Sequence, residues 1–253
     1  MRSLVLTLAV LAATAGAFAQ QLEPDPRAAG AAPASATRSV ATAAATRQAV
    51  DRSNPRAVLA AYIDAQRSVN AAEVKELIAV TDSVKQPYVD LVLNWMLWSH
   101  YLERAAVRKF GIDEGRTVLG NQRTAEEHFD LDARRLKDAT VEYSPDRTTA
   151  TLFMKVEPDR PAGLQTDRFS FLDRYVLIKA ADGWRIDFLQ TYDCADPQKE
   201  PLYHFEAGVY PLIATAMKEL SEKLAAGEIT SAAELKKELD ARTEASYSGQ
   251  KKK

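Results

Sequence analysis

Cysteine is all but missing: Cys194 is the only one in 253 residues, so no internal disulfide can tie the fold together. Histidine is nearly as scarce, and His100, His128 and His204 are too far apart for zinc-ligand spacing. No GxSxG elbow, glycine-rich phosphate loop or HExxH helix occurs, so neither metal nor cofactor is expected. A dominant charge is also lacking. Lys and Arg number 33 against 35 Asp and Glu, a net charge of −2 with a pI near 6.0, which removes the electrostatic case for nucleic acid or an anionic membrane. Nor does any apolar run reach the roughly 20 residues that cross a bilayer.

What is present starts with a leader. One basic residue in Met-Arg-Ser, the apolar run LVLTLAVLAATAG and the small-x-small triplet Ala17-Phe18-Ala19 are the three parts of a secretory signal peptide. Cleavage after Ala19 is expected, leaving a secreted or periplasmic protein with no membrane insertion. No cysteine follows the run, so no lipid anchor is expected. Apolar content of 46% and charged content of 27% are those of a globular chain. In an oxidising compartment the lone Cys194 is expected to be buried.

Behind the leader (1–19), residues 20–53 are rich in Ala, Pro and Thr and nearly free of large apolar side chains, and read as a flexible linker. A folded unit is expected over 54–193, a helical extension over 194–246 and a disordered basic tail over 247–253. Asn54-Pro55 is an N-cap followed by proline at the first helical position, and Val58, Leu59, Tyr62, Ile63 and Gln66 repeat at helical spacing behind it. Asn70-Ala71-Ala72-Glu73 opens a second short helix with Val74, Leu77 and Ile78 as its buried stripe. A third is expected from near Val84 to Phe110, stopped by Gly111, and Asp82 reads as its cap. A fourth starts at the capping box Thr124–Glu127.

The period then changes to two. ATVEY and TATLFMKV flank a Ser144–Arg147 turn, and RFSFLDRYVLIK and GWRIDFLQTYD flank another. A loop over Ala180–Gly183 would set Lys179 opposite Trp184 and Leu177 opposite Ile186; a two-residue Asp-Gly loop would shift that pairing. Either way Arg185 and Asp187 share the face opposite the apolar one. The last helices are expected over about 208–226, ended by Gly227, and from Ser231 through Leu239. The class is α+β: N-terminal helices packed on a curved antiparallel sheet, with extra C-terminal helices.

Two stretches, AAYIDAQRSVNAAEVKELI (60–78) and the hairpin DGWRIDFLQTYD, resemble the NTF2-like superfamily, whose cone-shaped fold also hosts ketosteroid-isomerase and SnoaL-like enzymes. The resemblance covers roughly 54–193 and suggests a secreted bacterial branch. The chain departs from it where the family has a strand after the second helix, since a long tryptophan-bearing helix follows here. By resemblance Tyr62 sits where the isomerases place a hydrogen-bond donor to a developing enolate oxygen, a role that needs a preorganised, dry pocket; core packing is the other reading. The isomerase chemistry also needs a carboxylate base, and none can be placed after the second helix.

The candidate ligand-binding residues are Tyr62, Trp95, Trp98, His100, Arg185, Asp187 and Tyr192. No residue is assigned a catalytic role. Arg185 with Asp187 is either a polar pair in a cavity or an ordinary wet sheet surface. Trp95, Trp98, Tyr101, Leu102 and Phe110 form a stripe expected to be core under the C-terminal helices, with a dimer face or a cavity wall as its other readings. The functional expectation is a non-catalytic exported domain binding a small apolar or amphipathic ligand or a protein partner, with a homodimer through the sheet in view. The rival is a SnoaL-like or isomerase-like enzyme (an isomerase or dehydratase) using Tyr62 with Asp187 or Asp193.

Overall fold

The computed structural model describes residues 49–120, 123–155, 172–194 and 200–250. The expected leader, most of the linker, part of the loop before Arg174, the strand start at Arg168 and the last three lysines lie outside the described residues.

Asn54 opens α1 (Pro55–Arg67) by accepting the Arg56 N–H, and Asn70 opens α2 (Ala71–Leu77) by accepting that of Glu73. Each cap satisfies one of the amides a helix start leaves unpaired. Ile78 then leaves the helix and begins β1 (Ile78–Ala79), which pairs in parallel with a strand about a hundred residues later. Asp82 caps a single 3₁₀ turn, Ser83–Lys85, and the long helix α3 (Gln86–Phe110) follows. Gly111, at φ 89°, ends it in a conformation that favours glycine. A short α4 (Ile112–Gly115) and a 3₁₀ turn, Arg116–Leu119, lead to α5 (Ala125–Lys137), which carries the full Thr124–Glu127 capping box.

The strands β2 (Thr140–Tyr143), β3 (Thr149–Phe153), β4 (Arg174–Ala180) and β5 (Gly183–Asp187) complete a sheet of order β1-β5-β4-β3-β2. It is antiparallel throughout except for β1 on β5. Lys179 pairs with Trp184 and Leu177 with Ile186, so the register is that of the longer loop, although only Ala181 and Asp182 lie between the paired Ala180 and Gly183. The Lys179 ammonium sits 5.9 Å from the centre of the Trp184 ring, over the indole. Gly183 is required where it stands. At φ 118° a side chain is strained, and a Cβ there would meet the Arg52 backbone oxygen at 2.5 Å. That oxygen accepts the Trp184 N–H at 2.8 Å, so the end of the expected linker is docked against β5.

β5 stops earlier than the alternating pattern suggests. Asp187, the last residue of β5 and paired with Ala79, also caps a one-turn helix α6 (Phe188–Thr191), and the chain turns inward at Tyr192. The next helix, α7 (Glu200–Ala226), starts eight residues ahead of the expected Gly208 and holds Pro211 in its interior. After Gly227, α8 (Ala232–Gln250) runs on into the span expected as tail. Its last turns are held by the Tyr247 ring, 5.8 Å from that of Phe205.

α3 and α7 run parallel. Tyr88 meets Tyr203 at 5.3 Å, Trp95 stacks on Tyr210 at 4.9 Å, and the Lys109 ammonium donates to the Leu224 carbonyl at 2.9 Å; every pair is separated by the same 115 residues. Contacts repeating every seven residues or a multiple of seven are those of a coiled-coil seam. α8 returns antiparallel along α7, with Lys223 on Glu238 and Arg242 on Glu219. Two apolar cores result. One lies between α1–α3 and the sheet, around Leu59, Leu93, Leu152, Leu177 and Ile186. The other lies among α3, α7 and α8, around Leu102, Leu220, Ile229 and Leu235, and Trp95 touches both.

Candidate functional site

A group of buried polar side chains meets between α1 and α6. Tyr62, on α1, and Tyr192, at the end of α6, are 0% and 2% exposed, and their hydroxyls lie 2.7 Å apart. α1 aims Tyr62 inward because it shares the stripe of Val58, Leu59 and Ile63. Tyr192 arrives because α6 reverses the chain, with its ring 4.5 Å from that of Phe188. Gln66, one turn beyond Tyr62 and also buried, lies beside both hydroxyls. Tyr175, on the inner face of β4, adds a third buried ring.

Burial holds all three phenols neutral. The Tyr192 hydroxyl is pushed up to about 12 by loss of water, with the bond to Tyr62 acting the other way. Tyr62 is raised well above 10.0 by burial first and by Tyr192 second. Tyr175 is raised well above 10.0 by burial first and by the charge of Asp132 second. A neutral phenol is a hydrogen-bond donor, and the Tyr62–Tyr192 pair spends one donor on the other.

Beside this cluster α5 contributes Arg135, 7% exposed. Its Nε donates to the Lys155 carbonyl at 2.7 Å, and its two terminal nitrogens reach Asp132 at 3.1 Å and Asp173 at 3.2 Å. The guanidinium therefore fastens α5 to the end of β3 and the approach to β4. Asp132 is already engaged by that pair and is not a free base. Chemically the site is a closed network of neutral donors and matched charges.

No protein-family model, curated protein or solved structure matches the chain. The site is therefore read from its own geometry.

Of the sequence-derived candidates, the structure brings together only Tyr62 and Tyr192, with Asp187 nearby at the start of α6. Asp187 is not wet surface: it is 0% exposed, and its carboxylate accepts the Gln190 N–H at 3.1 Å and the Gln190 side-chain amide at 2.8 Å. It caps a helix, so the expected Arg185–Asp187 pair is not formed. Arg185 instead reaches Asp182 at 2.8 Å, and Asp182 also binds Arg52 at 2.7 Å. Asp193 is exposed, at φ 53°. Trp95 and Trp98 belong to the α3–α7 seam, Trp98 lying edge-on to Tyr101 at 5.4 Å. Cys194 is fully buried.

Gln66, Tyr175, Asp132 and Arg135 are the members sequence reasoning missed. A signal existed for Gln66, a polar residue on an otherwise apolar stripe. Arg135 looked like ordinary basic decoration of a helix end.

His100 lies apart from this cluster, with its ring 5.1 Å from Phe129 of α5. Its pKa falls from 6.5 to about 4, through burial first and then the neighbouring positive charges of His128 and Arg104. The unfolded chain therefore binds a proton more readily than the fold does. Stability contributed by neutral His100 is complete above pH 6.5 and is withdrawn as pH falls toward 4. After discounting for its partial exposure, we expect a loss of about 2 kcal/mol across that window, and His100→Gln is expected to flatten it. Urea denaturation at pH 7 and at pH 4.5 measures both slopes; equal slopes would remove His100 as their source.

Proposed function

We propose that the protein is an exported, non-catalytic binding domain on an NTF2-like cone, engaging a protein partner through its surface while its interior serves as packing. The observation that carries this reading is the Tyr62–Tyr192 hydroxyl pair. An enolate-stabilising tyrosine needs an open place for the substrate oxygen. Here that place is taken by the chain's own second tyrosine. The carboxylates considered as bases are spoken for or turned out: Asp187 caps α6 and Asp193 is exposed. The short β1 after α2, parallel to β5, supports the NTF2-like reading, because that family has a strand at this position. The leader-like N-terminus supports export.

A double-mutant cycle read with native mass spectrometry of the chain from Gln20 onward tests the proposal. Tyr62→Phe takes one partner from the buried Tyr192 hydroxyl, leaving it Gln66, and is expected to cost about 1 kcal/mol. Adding Tyr192→Phe removes the second hydroxyl of the pair, and the double change is expected to cost less than the two single changes summed. The spectrum is expected to show the protein mass with no retained small molecule. A reproducible adduct that disappears in Tyr62→Phe would overturn the proposal in favour of a ligand-binding interior.

A further inference from the structure

Among the described residues β2 pairs with β3 alone and is the longer of the two sheet edges, four residues against two in β1. The direction of the unused backbone groups follows from the ladder. The Ser144 N–H donates to the Thr149 carbonyl at 3.0 Å, so Ser144–Thr149 is a hydrogen-bonded pair. Antiparallel pairs alternate in type, which makes Glu142–Thr151 and Thr140–Phe153 hydrogen-bonded as well. The N–H and C=O of Val141 and Tyr143 therefore point away from β3, and no described backbone group bonds them.

The side chains on this edge are as distinctive as its backbone. Val141 packs partly against the first core, and Tyr143, 49% exposed, lies on the same face with its ring 5.9 Å from Trp184. Glu142 projects from the other face, exposed, and makes no ion pair among the described residues. No lysine, proline or bulge interrupts Thr-Val-Glu-Tyr, so the protections left to this edge are its shortness and the charge of Glu142.

We propose that β2 is a strand-addition site for an extended segment of a partner protein in which a Lys or Arg is flanked on both sides by apolar residues. This rests on the reading that the surface, not the interior, does the binding. An antiparallel guest strand would bond Val141 and Tyr143, and would set its central residue opposite Glu142 in a pair of the closer, non-hydrogen-bonded type. A basic side chain there neutralises Glu142. The two flanking residues alternate to the face where Val141 and Tyr143 present apolar surface. A second copy of β2 fits worse, since symmetric pairing centred on Glu142 would oppose two carboxylates.

Selection of a random heptapeptide display library against the immobilised chain from Gln20 onward tests the site. Wild type is expected to enrich apolar–Lys/Arg–apolar triplets by about tenfold or more over Val141→Pro, a difference of roughly 1.4 kcal/mol. Proline at 141 removes an N–H that points outward, so the ladder to β3 keeps its bonds. Glu142→Lys, a surface change, is expected to switch the enriched central residue to Asp or Glu, and it keeps the test decisive if Val141→Pro unfolds. Absence of enrichment over Val141→Pro in a folded variant, or a central preference unmoved by Glu142→Lys, overturns the proposal. Enrichment indifferent to both changes removes β2 as the site while leaving surface binding of a partner standing.

Discussion

Phe188→Ala is expected to lower unfolding stability by about 4 kcal/mol, the largest loss among the substitutions considered. The ring is 0% exposed and lies 4.5 Å from that of Tyr192, at the point where the chain leaves the sheet for α6. Removing it takes away the transfer energy of a whole aromatic ring and leaves a void. Such a void closes only as far as its walls can move, and these are constrained. Asp187 is fixed by its bonds to Gln190, and the Cys194 N–H is bonded to the Leu189 carbonyl at 2.7 Å. Urea denaturation is expected to show a lower midpoint at unchanged slope. Val84→Ala, at a residue 85% exposed, is the control and should change stability by less than about 0.5 kcal/mol. A Phe188→Ala loss below about 1 kcal/mol would mean that α6 does not seal the first core.

Arg135→Met comes second, at about 3 kcal/mol. Methionine replaces the stem but none of the hydrogen bonds. Breaking a buried pair from one side is costly because the other side stays behind. Here the Lys155 carbonyl and the Asp132 carboxylate, 20% exposed, lose the guanidinium. Asp173 is 51% exposed and falls back on water, which keeps the loss below that of a wholly buried triad. Arg135→Lys is expected to recover less than half, since an ammonium has no planar fork to serve three acceptors at once. The same denaturation assay at pH 7 reads both variants. Full rescue by lysine would show that charge alone, and not the fork, holds α5 to the sheet.

The features legible in the sequence were those decided within a few residues. Asn54-Pro55, Asn70 and the Thr124–Glu127 box start helices where expected, because a cap bonds an amide two or three positions away. The Lys179–Trp184 register follows from one face meeting another across a short turn. What failed depends on distant partners. Two residues, Ile78 and Ala79, become a strand because β5 lies beside them, and nothing local distinguishes them from the end of a helix. Asp187 continues an alternating pattern, yet it caps α6 because the inward turn of Tyr192 needs a helix there. The first part of α7, ahead of Gly208, is held by the contact of Tyr203 with Tyr88 of the distant α3. Of the candidate site, Tyr62 was readable from its stripe. Its pairing with Tyr192 spans 130 residues and was not.

The constant 115-residue offset between α3 and α7 also sets a timetable for synthesis. Two parallel helices cannot be joined by a tight turn, so everything from α4 through α6 is made between them. α3 leaves the ribosome with Trp95 and Leu102 uncovered, and the residues that cover them emerge only with α7. Contacts of such long range close late, because the chain between them must first be brought to order. The β4–β5 hairpin and the α1–α2 pair need no such wait. The nascent chain therefore carries an apolar stripe while a further 115 residues are made, a state that invites aggregation unless a holding chaperone shields it. Under the proposed export, in which the chain crosses a membrane unfolded, the same delay becomes an asset.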